Sequence, residues 1–216
     1  MSENVSDRKQ DRREQILTAA AAVFSAAGYS EATCDDIAEK AGVSKGTLYN
    51  YFKSKQDLFT QLFLSSVAAD EAAIDEMVAR SASAREKLEA VIGYWFQQFS
   101  RYHQMGRLVL EFWSTAAAEE EDGTFTQALE EMYGRYRERM TKIFKQGEAS
   151  GEFELVYGPS MAAAVVLALF DGLGLHSMMG LGVKMDEKVV SAIQRGMLRA
   201  LGAAGPEESR KDEQDV

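Results

Sequence analysis

TCDDIAEKAGVSKGTLYNYFKSK, residues 33–55, predicts two short helices about a glycine turn. Thr33 with Asp36 three positions on is a capping-box-like start for the first helix. Ile37, Ala38 and Ala41 give that helix an inward side, and Gly42 ends it. Ser44 can N-cap the second helix, while Leu48 and Phe52, four residues apart, turn inward. The outer face is left to Lys45, Gly46, Thr47, Tyr49, Asn50 and Tyr51.

Upstream, Ile16, Ala20, Val23, Phe24 and Ala27 share one face of a helix over 12–27, which Gly28 stops. Downstream, Ser54 with Asp57 starts a long helix that carries Leu58, Phe59, Leu62 and Phe63 and runs to residue 80. After a joint at 81–84, five further helices are expected over 85–102, 104–118, 124–149, 159–180 and 187–202. Phe125, Leu129, Met132, Tyr136, Met140 and Ile143 step by three or four and make the helix at 124–149 the clearest. The expectation is an all-α chain of about nine helices.

With 216 residues, 46% of them hydrophobic, the chain can bury a core in one or two domains. A single cysteine, Cys34, excludes an intrachain disulfide, and one Cys with two His gives no zinc cluster. Residues 1–15 are polar and lack the apolar region of a secretory signal. Residues 155–170 carry no charge, but Asp171 and His176 follow before bilayer length is reached. A soluble, cytoplasmic protein with no cofactor and no membrane association is expected.

The net charge of −10 argues at first against a nucleic-acid partner. Its distribution does not: residues 1–60 hold eight basic and nine acidic side chains, and nearly all the excess lies beyond. Arg8, Lys9, Arg12 and Arg13 lie near the start, and Lys45, Lys53 and Lys55 bracket the second short helix. Phosphate attraction is a local matter, screened beyond roughly 10 Å.

Two short helices about a glycine turn, the second polar outside, make a helix-turn-helix DNA reader. Lys45 suits guanine O6 or N7, and Thr47 a thymine methyl. Gly46 costs about 1 kcal/mol relative to alanine in a helix, which close approach to DNA would justify. Tyr49 and Tyr51 suit phosphates, as do Lys55 and Thr33 at helix N-termini. Taken singly, the tyrosines are more often packing residues and Lys45 a solvated charge. Their meeting on the face opposite Leu48 and Phe52 carries the DNA reading.

The run IAEKAGVSKGTLYNYFKSKQDL (37–58), with its lead-in AGYSEAT (27–33), closely resembles the signature of the TetR family of transcriptional regulators. The likeness is gapless and covers residues 12–60. It implies a homodimer with one helix-turn-helix per subunit on the half-sites of a palindromic operator. By match to the motif, Lys45, Gly46 and Thr47 would read bases, while Thr33, Tyr49, Tyr51 and Lys55 would hold backbone. Ser44 and Asn50 complete the expected contact set. Cys34 stands where the family often has a hydroxyl or β-branched residue and reads as a packed side chain. The resemblance divides the chain into a flexible arm (1–11), a DNA-binding domain (12–60, its fourth helix continuing to 80), an effector-binding and dimerisation domain (81–203) and a disordered tail (204–216).

The second domain is rich in aromatics and methionine. Trp95, Phe99, Phe112, Trp113, Tyr133, Tyr136, Met140 and Phe170 are candidates to line an apolar effector pocket, although any one of them taken singly is more often a core residue. Asp171 and His176, with Glu111 beside Phe112, are the candidate polar groups; each is alternatively a paired structural residue or one on a wet face. Inward carboxylates would favour a cationic or hydroxylated apolar effector over a fatty acid. The last two helices look like the dimer surface: Ala162, Ala163, Ala164, Ala168, Gly172 and Gly174 permit close approach, and Val190, Ile193, Met197 and Leu201 form a stripe.

The expected function is therefore a repressor that a small molecule releases from its operator. Two rivals are a DNA-binding dimer without effector control and a helical small-molecule-binding protein whose DNA binding is vestigial. No nucleophile–base pair, metal cluster or phosphate loop supports an enzyme.

Overall fold

The computed structural model describes residues 3–104, 110, 111, 114, 124–181 and 186–201. Among the described residues eight helices have full ranges: α1 (Glu3–Ala27), α2 (Cys34–Lys40), α3 (Lys45–Tyr49), α4 (Lys55–Arg80), α5 (Ala84–Gln104), α6 (Thr124–Ser150), α7 (Pro159–Met178) and α8 (Glu187–Ala200). The helix expected over 104–118 lies largely outside the described residues, but residues 110, 111 and 114 are helical. The tail expected at 204–216 also lies outside them.

The arm expected at 1–11 is a correction: α1 already begins at Glu3. No proline or glycine interrupts that stretch, and side-chain pairs such as Gln10 to Glu14 (2.9 Å) follow the turns of the helix.

Contacts divide the chain into two units, and the division falls inside helices, not at the joint near 81–84. One unit comprises residues 1–70 with 104–129, the other 71–103 with 130–216. In the first, Ile16, Ala20 and Phe24 of α1, Ile37 of α2, Leu48, Phe52, and Leu58 and Phe59 of α4 are all at most 1% exposed. Phe24 meets Phe59 edge-on at 5.5 Å. Phe125, at the start of α6, lies 5.8 Å from Phe59 and 5.0 Å from Phe63, which ties the start of α6 to this unit. Each buried phenylalanine contributes about 1.5–3 kcal/mol, so Phe59→Ala would remove the centre of the cluster.

In the second unit Ile74, Leu88, Ile92, Phe96, Met140, Phe144, Phe153, Ala163, Phe170 and Leu198 form one core. Two charged rungs join α4 to α6. Arg135 Nε donates to Glu71 at 2.7 Å, and Arg139 grips Asp75 in a fork, Nε to Oδ1 at 2.7 Å and Nη2 to Oδ2 at 3.0 Å. Glu152, between α6 and α7, caps α5 by accepting from the Arg85 amide at 2.9 Å and the Ala84 amide at 3.3 Å. Those hydrogen bonds and one from Ser150 hold its pKa below the ordinary glutamate value.

The last two helices use their faces differently from the sequence expectation. Met197 is buried, and Val190, Ile193 and Leu201 pack against this unit's own core; the outward side of α8 is Lys188, Ala192, Arg195, Gly196 and Arg199. On α7, Ala162, Ala163 and Gly174 are buried inward, whereas Ala168 and Gly172 face outward. They share that face with Met161, Val165 and Leu169, which are 56%, 52% and 39% exposed. Periodicity identifies an amphipathic helix but not which neighbour its apolar side meets. The 159–177 stretch is long and apolar enough to cross a bilayer, with a mean hydropathy of 1.5.

Candidate nucleic-acid interface

Local hydrogen bonds build the reading head. The Thr33 hydroxyl accepts from the Asp36 amide at 3.1 Å, and the Asp36 carboxylate accepts from the Thr33 amide at 3.0 Å and the Thr33 hydroxyl at 2.6 Å. This is the reciprocal capping box the sequence predicts, and it lowers the Asp36 pKa. Gly42 turns the chain at φ +63°, a conformation that side chains with a Cβ disfavour. Ser44 Oγ accepts from the Thr47 amide at 3.0 Å and pairs with the Thr47 hydroxyl at 2.8 Å. Leu48 and Phe52 then enter the core.

Ser44, Lys45, Gly46, Tyr49 and Asn50 are exposed, while Thr47 and Tyr51 are half-buried. Lys45 pairs with Asp35 of α2, Nζ to Oδ1 at 2.8 Å. Hydrogen bonding and charge from Asp35 raise the lysine pKa. A Cβ added at Gly46 would meet nothing closer than Ser44 Oγ at 3.9 Å. Packing within the chain therefore gives no reason for glycine there. The buried Cys34 thiol beside the Tyr49 phenol raises the phenol pKa through hydrogen-bonding and charge effects. Cys34 is thus the packed side chain the sequence suggests.

Lys55 also has partners within the chain. Its ammonium donates to the backbone carbonyls of Tyr29 (2.8 Å), Ser30 (3.3 Å) and Ala32 (3.1 Å). The Thr33 hydroxyl is likewise engaged on both sides by Asp36. Sequence reasoning missed Asp35, whose partner is ten residues away, and the role of Glu111, whose carboxylate accepts from the Tyr29 amide at 2.6 Å across 82 positions.

Of the candidate effector residues, the structure brings four together. Trp95 lies 4.8 Å from Phe170 and 6.2 Å from Tyr136, and Met140 is buried in the same core. Asp171 is half-buried and hydrogen-bonded to Tyr133; burial pushes its pKa up and the Tyr133 hydroxyl opposes the shift. His176 is exposed. Phe112, Trp113 and the side chain of Phe99 lie outside the described residues.

Residues 16–62 match the family model of bacterial regulatory proteins of the tetR family, and residues 84–203, over half of the chain, match that of the BetI-type transcriptional repressor C-terminal region. The chain belongs to the TetR family. TetR-family relatives are transcriptional regulators. The fatty acid metabolism regulator protein of Bacillus subtilis (strain 168) is 26% identical over 164 residues, 76% of this chain and 82% of that protein. Among solved structures, the fatty acid degradation regulator FadR of Bacillus halodurans superposes with a TM-score of 0.74 at 22% identity, covering 89% of this chain and 97% of its own. FadR of Bacillus subtilis, in complex with stearoyl-CoA, superposes at 0.69 with 24% identity, covering 89% and 99%. These superpositions show the TetR-family fold.

Proposed function

We propose that the protein is a homodimeric repressor that holds a palindromic operator through paired α3 helices and is released by a long-chain acyl effector. The observation that carries this reading is the division of α3 into a buried side and an exposed polar side. Lys45, Gly46 and Thr47 meet base edges, and Ser44, Tyr49, Asn50 and Tyr51 lie where phosphates and neighbouring bases pass. Lys55 and Thr33 support this surface from behind.

The outward stripe of α7 supports dimerisation. Met161, Val165, Ala168, Leu169 and Gly172 make one apolar side with small residues at its centre, suited to a second copy of the same helix. The exposed face of α8, with Ala192 and Gly196 between arginines, extends that surface. Coverage by a partner subunit also accounts for the hydropathy of α7 in a protein that works on cytoplasmic DNA. The two reading heads then fit half-sites about 34 Å apart.

For the effector, the pairing of Asp171 with Tyr133 removes the reason to prefer a cation, and Glu111 accepts a hydrogen bond from the reading head's own backbone. What remains around Trp95, Tyr136, Met140 and Phe170 is an aromatic and aliphatic interior suited to a hydrocarbon chain. The stearoyl-CoA complex of the Bacillus subtilis relative supports the same class. Effector binding would move α4 and change the spacing of the heads, weakening operator binding roughly 5–150-fold.

A gel-shift titration on duplexes selected from a random pool by the protein itself tests this. Release by stearoyl-CoA, with none by choline or a sterol, is expected. Release by choline alone would reject the acyl reading, and failure to select any duplex would reject the repressor.

A further inference from the structure

The ammonium of Lys55 has three hydrogens, and three carbonyl oxygens receive them: those of Tyr29, Ala32 and Ser30 at 2.8, 3.1 and 3.3 Å. The same charge lies 4.5 Å over the ring of Tyr29. From another part of the chain, the Glu111 carboxylate accepts from the Tyr29 amide at 2.6 Å. The Tyr29 ring rests on Phe59 at 4.6 Å and Phe24 at 5.7 Å. The N–H, the C=O and the ring of one residue are thus all engaged by partners distant in sequence. The turn they hold, 28–32, leads directly into the Thr33 cap of α2.

We propose that Lys55 and Glu111 are positioning residues that clasp the 28–32 turn and thereby set α2 and α3 for operator binding, Lys55 acting without touching a phosphate. This rests on the reading of the chain as an operator-binding repressor. Three satisfied donors leave none for a phosphate oxygen. Glu111 gives the clasp its second meaning. It belongs to the region matched by the C-terminal repressor model but by its contacts to the DNA-reading unit. Withdrawal of its carboxylate would slacken the turn before α2, so a signal from the C-terminal region reaches the reading head through this hydrogen bond.

The test uses the full-length protein as wild type, Lys55→Met, Glu111→Ala, Glu111→Gln and the Lys55→Met/Glu111→Ala double variant. Affinity for a duplex selected from a random pool by the wild-type protein is measured at several salt concentrations, and exchange of the Tyr29 amide is followed by NMR. Lys55→Met and Glu111→Ala are each expected to weaken binding about tenfold, leave the salt slope unchanged and speed Tyr29 exchange. Glu111→Gln, which keeps an oxygen facing the amide, should recover most of the loss. The double variant should bind no more weakly than the worse single one, because either change opens the same clasp.

A salt slope reduced by about 0.9 for each lysine lost would make Lys55 a phosphate contact and overturn the proposal. Additive losses, no recovery in Glu111→Gln, or unchanged affinity would overturn it as well. Should Lys55→Met not fold, the Glu111 variants and the Tyr29 exchange decide. A wild-type protein that selects no duplex refutes the repressor reading, while Tyr29 exchange still judges the clasp.

Discussion

Lys45 Nζ sits 2.8 Å from Oδ1 and 3.0 Å from Oδ2 of Asp35, so α2 holds the first side chain of the reading helix. Both groups are exposed, and such a pair is readily exchanged for a base contact. Lys45→Ala should relax specificity at one operator position, and Asp35→Asn should tighten operator and random DNA alike by about two- to fivefold. Competition titrations with operator, a point-substituted operator and random duplex read both effects. An unchanged preference among the three in Lys45→Ala would remove the base-reading role.

Gly46 separates folding from function. Alanine there is free of contacts closer than 3.9 Å within the chain and should stabilise the protein by about 1 kcal/mol. Operator affinity should fall at least roughly tenfold, since the added methyl stands where DNA must approach. Thermal unfolding beside a binding titration gives both signs. A stabilised variant with full affinity would contradict close approach at this position.

Val165→Arg places a charge at the middle of the outward stripe of α7, where the native side chain is 52% exposed. The isolated subunit should fold normally, because the site faces away from the core. Light scattering should show a monomer, and operator binding should weaken by about 100-fold or more as the second half-site is lost. A variant that stays dimeric moves the interface elsewhere.

Three carboxylates set opposing pH trends. Asp36 and Glu152 have lowered pKa values, so their contribution is present above the unfolded-state value and is lost as pH falls through the folded one. Asp171 has a raised pKa, so its protonation in the fold gains stability as pH falls through that value. Glu152→Ala should lower the Tm at pH 7 by about 2–4 °C and flatten the acid limb of the stability curve. Asp171→Asn should raise the Tm at neutral pH, since it removes a desolvated charge. A lower Tm in Asp171→Asn would assign that carboxylate a stabilising partner beyond Tyr133.

The reading head was legible because its information is local. Thr33 with Asp36, Ser44 with Thr47, and the four-residue step from Leu48 to Phe52 all act within one helical turn. The hydrogen bonds of Lys55 were not legible because its acceptors lie 23 to 26 positions upstream, in a turn whose closure no periodicity reports. Residues 3–11 carry mixed charge and no apolar stripe, so their helix had no pattern to announce it. On α8 the stripe Val190, Ile193, Met197 was visible, but only the packed structure turns it towards its own core. The second domain yielded its aromatic cluster and not its ligand, since a core and a pocket draw on the same residues.

The rungs Glu71–Arg135 and Asp75–Arg139 are spaced by four residues on both helices and run in the same sense. Sliding α4 along α6 by one turn, about 5.4 Å, would bring one acid opposite the other arginine and re-form a rung; any intermediate displacement leaves one arginine between the acids and the other beyond them. The ladder therefore acts as a detent with discrete stops, so that within this unit α4 resists small continual drift and yields only to a push large enough to carry it past a notch.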